Sequence, residues 1–110
     1  MNVFTMHRGD DKLYELTVTD KQTGNPVDIT GTTTVLTMRG SYTASIFLQK
    51  TFTNTDPTNG KAEVAIDAAD TSSLQNVQYT YVFDVQITKT SGKDETLLSG
   101  KFIILPEVTY

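Results

Sequence analysis

The residues able to do chemistry in this 110-residue chain are few and scattered. His7 is the single histidine and there is no cysteine, so a Cys–His pair is excluded and a Ser–His–acid triad has one available base. His7 lies in a terminal segment where an imidazole on a strand surface is the ordinary outcome, and general-base work needs more geometry than that. Thirteen carboxylates are enough in number for a glycosidase pair or a calcium loop. The best local pattern is Asn54, Asp56, Thr58 and Asn59-Gly60, whose alternating oxygens echo a calcium loop. Its glycine comes one place late, and Ala65 stands where the last glutamate ligand belongs. A turn held by Asx side chains is expected instead. Asp67 and Asp70 flank two alanines and are expected to cap and solubilise a loop.

Arg8-Gly9-Asp10 spells the integrin-binding tripeptide. Three-residue matches arise by chance, and this glycine falls where the chain must turn into a strand. No glycine-rich phosphate loop occurs and tryptophan is absent. The tyrosines between positions 79 and 87 are spaced for a core, whereas a sugar platform would need them on an outward face. The expectation is therefore a chain without catalytic, cofactor-binding or metal-binding residues, and not an enzyme.

The elements that carry these residues alternate with period two almost throughout. Tyr14, Leu16 and Val18 alternate with Glu15, Thr17 and Thr19. Turn residues follow at 21–26, and a short extended piece at 27–31 leads into a strand over 33–39 with Leu36 and Met38 inward. Ile46, Leu48 and Phe52 mark another strand, and Ala62, Val64 and Ile66 the next. Asp70 is placed to cap a single helical turn through Leu74. The clearest strand puts Tyr79, Tyr81, Phe83, Val85 and Ile87 on one face. A last strand runs from about Asp94 to Leu105, with Gly100 as a candidate bulge.

About seven such strands with turn signals between them predict an all-β, antiparallel sandwich of the immunoglobulin-like kind, one domain over 1–110. At the corner before the long strand, Tyr79 is expected to bond its hydroxyl to backbone a few residues upstream. A chain of this length buries roughly 65% of its unfolded surface, enough for one core without disulfides. Twenty threonines suit half-exposed pleated surfaces. Net charge is −4, and two arginines with seven dispersed lysines form no basic patch, so nucleic acid is not an expected partner. No run approaches the roughly 20 apolar residues of a membrane helix. The N-terminus lacks the pattern of a signal peptide.

With these residues in view, the chain resembles the N-terminal domain of the baseplate upper protein family of phages infecting Gram-positive bacteria. Arg8-Gly9-Asp10-Asp11 precedes the first long strand, and Gly24-Asn25-Pro26-Val27-Asp28-Ile29-Thr30-Gly31 resembles the family's turn. Gly60, the stretch to Asp67, the Leu74–Tyr81 corner and the closing hairpin through Gly92 and Phe102 follow in order. The resemblance implies a virion structural module of baseplate, tail or head, assembled in the host bacterial cytoplasm. Its partners would be other virion proteins or further copies of itself, with no cofactor. The long C-terminal portion of that family does not follow Tyr110, from which an accessory role on head, neck or tail is expected. The segments Met1 to Met6 and Pro106 to Tyr110 are candidates for contact; for Val3, Phe4 and Met6 the plainer expectation is closure of the domain's own edge. A host-surface or glycan-binding sandwich is the alternative, and a hydrolase accessory domain a third class.

Overall fold

In the computed structural model, which describes residues 2–75 and 77–106, strands account for 57% of the described residues and helix for 7%. Eight strands lie among the described residues: β1 (Asn2–His7), β2 (Lys12–Thr17), β3 (Thr33–Arg39), β4 (Ile46–Thr51), β5 (Thr53–Asp56), β6 (Lys61–Ile66), β7 (Tyr79–Thr88) and β8 (Asp94–Leu105). They form a five-stranded sheet in the order β1-β8-β7-β3-β4 and a three-stranded sheet in the order β2-β6-β5. The sheets pack as a sandwich. One short helix, α1 (Ala68–Thr71), and a 3₁₀ turn at Pro57–Asn59 interrupt the strands.

Alternation decides which side chains meet. Tyr81, Phe83, Val85 and Ile87 of β7 are all buried, flanked by Leu36 and Met38 of β3 and by Phe102 and Ile104 of β8. Ala62, Val64 and Ile66 of β6 close on them from the other sheet. Aromatic rings bridge the layers at the β1–β8 side: Phe4 lies 5.4 Å from Tyr14 and 5.2 Å from Phe83, and Tyr14 lies 5.8 Å from Phe102. Rings at such separations add to area burial. Burial also pushes the Tyr14 hydroxyl pKa up.

Several local expectations are corrected. The opening segment is a strand, and it pairs parallel to β8 (Asn2 with Gly100 through His7 with Leu105), so the first sheet is mixed. Parallel pairing brings the end of β1 to the end of the sandwich where β2 must start. Gly100 is not a bulge; it sits where a Cβ would lie 1.9 Å from the Asn2 carbonyl oxygen, so the parallel strand requires glycine there. The irregularity falls between Val85 and Gln86, whose partners are Leu98 and Thr96, leaving Leu97 unmatched.

Ile46 turns outward, 44% exposed, because a second irregularity at Met38/Arg39 pairs those residues with Leu48 and Ile46. Phe47 instead stacks on Tyr81 at 4.4 Å. The stretch 27–31 forms no strand, and at Phe52 the chain leaves the first sheet for the second, which makes β4 and β5 separate strands. Finally, α1 begins three residues earlier than expected, with Asp67 as N-cap and Asp70 inside the first turn.

Candidate functional site

The strand ends gather two sets of loops at opposite ends of the sandwich. At one end lie the β1–β2 turn, the β3–β4 connection and the segment from α1 to β7. Side chains that reach far along the chain hold this end. The Arg8 guanidinium donates to the carbonyls of Leu74 at 2.7 Å and Ser72 at 2.8 Å. Gly9 N–H donates to the Thr71 hydroxyl at 2.9 Å, and Ala68 N–H to the Asp11 carboxylate at 2.8 Å. Asp70 accepts the Asp67 N–H at 2.8 Å and pairs with Lys50 at 2.9 Å, tying β4 to α1. Side-chain hydrogen bonds to helix-end groups of this kind satisfy donors and acceptors that the helix itself leaves free. Large apolar residues nevertheless stay in solvent at this end, among them Tyr42 at 72%, Val77 at 51% and Ile46 at 44% exposure, and so does Leu13 near the start of β2.

The opposite end is polar. A cleft of ≈ 680 Å³ separates the loop after β2 from the start of β8. Its floor includes Leu16, Ile29 and Ile87, and its rim carries Asp20, Asp28 and Glu95. Backbone bonds from Gln22 and Thr23 hold the Asp20 carboxyl below its ordinary pKa. The Thr30 hydroxyl and backbone do the same for Asp28, and the Lys89 ammonium for Glu95. A smaller, apolar recess of ≈ 90 Å³ between the sheets shares Leu16 and Leu98 with this cleft.

The residues singled out in the sequence do not converge. His7 is exposed on β1 opposite Leu105. Arg8 of the Arg-Gly-Asp stretch is engaged with backbone, and Gly9 takes the left-handed φ of 81° that the turn requires. In the loop that echoed calcium ligation, the Asp56 carboxylate accepts the Asn59 amide at 2.9 Å and the Thr58 hydroxyl at 3.3 Å. Asn54 turns away and donates to the Thr32 carbonyl at 3.2 Å. Among the described residues no group of three or more His, Cys, Asp and Glu is placed to hold a metal ion. Tyr79 does accept from the Gln75 N–H at 3.4 Å, four residues upstream, although Asn76 within that corner lies outside the described residues.

Of the candidate contact segments, Met6 is buried and Phe4 half-buried in the sandwich, leaving Val3 exposed. Met1 and residues 107–110 lie outside the described residues. Sequence reading missed the exposed Tyr42 and Val77; their signal was an apolar side chain among turn residues. The cleft had no signal, because it forms between segments about seventy residues apart.

No curated protein matches the chain. A family described as the BppU N-terminal domain matches residues 2–104.

Proposed function

Since this chain belongs to the baseplate upper protein N-terminal domain family, we propose that it is a tail baseplate module that works by docking to neighbouring virion proteins and catalyses no reaction. The observation that carries this reading is the family match over nearly the whole chain. The surface is consistent with it. Apolar side chains at the clasped end are held on tied-down loops, which lowers the ordering cost of association. On this reading residues 1–110 act as one immunoglobulin-like domain, assembled into the particle in the host cytoplasm, alone or in several copies. Nucleic acid and membrane are not its partners, in keeping with a net charge of −4 and dispersed lysines.

The test is localisation in purified phage particles. Mass spectrometry is expected to find the chain in virions, and antibody labelling in electron micrographs to mark the tail tip. Absence from particles, or label confined to the head, overturns the proposal.

A further inference from the structure

The five-stranded sheet has an unfinished edge. β1 pairs with β8 only from Gly100 to Leu105. Over Asp94–Ser99, β8 bonds to β7 on one side and to no strand among the described residues on the other. At the point where the parallel ladder stops, the Asn2 side-chain amide donates to the Ser99 carbonyl at 3.3 Å, so that carbonyl faces the open side. The five residues Asp94–Leu98, with the irregularity at Leu97 among them, span about 16 Å, within the range of strand lengths. Glu95, Thr96, Leu97 and Leu98 form one wall of the ≈ 680 Å³ cleft, with the loop after β2 as the other.

We infer that this cleft receives one extended segment of a neighbouring virion protein, which lies parallel to β8 in continuation of β1. The occupant carries aliphatic side chains towards the floor and basic ones towards the rim. The inference rests on the docking reading above and adds the site and the chemistry of the partner.

Two observations select the occupant. Backbone N–H and C=O groups along an unfinished ladder are matched in full by another extended chain, and pockets for alternate side chains then give specificity. Here the alternate positions have somewhere to go: Leu16, Ile29 and Leu98 offer an aliphatic floor. Charge selects the rest. Lys89 pairs with Glu95 at 2.9 Å, and the cleft lining as a whole sets three carboxylates, Asp20, Asp28 and Glu95, against two ammoniums, Lys21 and Lys89. A rim with an excess carboxylate suits a basic segment and repels an acidic one.

The experiment uses the full 110-residue chain, isotopically labelled, and two blocked hexapeptides. One alternates valine with lysine and the other valine with glutamate. Titration of the lysine peptide is expected to give saturable amide shifts at residues 94–99 and 17–30, with half-saturation below about 1 mM. Exchange of the edge amides slows, and the glutamate peptide binds at least about tenfold more weakly. Asp28→Lys, an exposed change whose structural effect is confined to the Asp28–Thr30 turn, weakens the lysine peptide by about tenfold, and the amide shifts outside 27–31 of the free variant match those of the parent.

Shifts centred on β2 or β4 overturn the inference, as does equal binding of the two peptides or no saturation at several times that concentration. Broadening of the β8 edge without peptide, rising with protein concentration, assigns the cleft to a second copy and also overturns it. A chain found at the tail tip that gives no edge response keeps the baseplate reading and loses only the strand site.

Discussion

The two ends of the sandwich are stabilised by different means. At the clasped end, side-chain bonds join residues 57 to 66 positions apart, such as Ala68 to Asp11 and Arg8 to Leu74. At the cleft end most side-chain bonds stay within two to six positions, as in Asp20 to Gln22, Asp28 to Thr30 and Lys89 to Glu95, and the longer reach of Asn54 to the Thr32 carbonyl is the exception. What anchors the cleft loops to the body is chiefly backbone: Val18 N–H donates to the Gly60 carbonyl at 2.8 Å and Ile29 N–H to the Pro57 carbonyl at 2.9 Å. One end is thus fixed by side chains that cross the molecule. The other is a set of locally folded turns hung on a few main-chain contacts, which leaves a free edge beside it. Regions with few long-range contacts are those that open first.

The sharpest way to break this contrast is Gly60→Ala. Gly60 has a φ of 72°, and an added Cβ would lie 2.5 Å from the Val18 carbonyl oxygen, against backbone that cannot swing aside. Urea unfolding is expected to register a loss of roughly 3 kcal/mol. A loss below about 0.5 kcal/mol would mean the cleft loops do not depend on their main-chain anchors.

Next in size is Arg8→Ala at the clasped end. Removing charged donors from two carbonyls costs about 2 kcal/mol, and exchange of amides near 72–75 accelerates. Arg8→Lys recovers only part, because a point charge cannot reproduce the guanidinium fork. Full recovery would reduce the clasp to simple charge.

A smaller effect is expected of Lys50→Met. The pair is partly exposed, 28% for Lys50 and 16% for Asp70, so solvent screening limits its worth to about 1 kcal/mol or less. A double-mutant cycle with Asp70→Asn isolates the coupling; a value near zero would remove this tie from the comparison.

The smallest effect belongs to acid. The folded-state pKa values of Asp20 and Asp28 lie below the ordinary 3.8, so their stabilising bonds are fully present above that value. They are lost as pH falls below it, through the depressed folded values, because protonation then favours the unfolded chain. The double substitution with asparagine is expected to flatten the acid limb of a stability–pH curve. An unchanged limb would show that these turns do not report on pH.

The same contrast explains what the sequence disclosed. Alternation identified the inward face of β7 residue by residue, and the side-chain bonds of Asp56 to Thr58 and Asn59 within their turn followed from spacing, because both are short-range physics. Ile46 was misjudged because a one-residue irregularity inverts the face of everything beyond it. The role of Arg8 was invisible because its carbonyl partners are more than sixty positions away. Gly100 looked like a bulge because nothing nearby in sequence announces that β1 will run against it. The cleft and the unfinished edge arise from pairings between distant strands, and no local pattern encodes them.

The pairing of β1 with β8 also has a kinetic consequence. Among the described strands β1 pairs only with β8, so the ladder between them cannot form until everything from Asn2 to Leu105 has been made. The high contact order of that closure favours slow folding by an all-at-once route. Until it happens, Phe4 and Met6 remain uncovered and open to capture by other nascent chains.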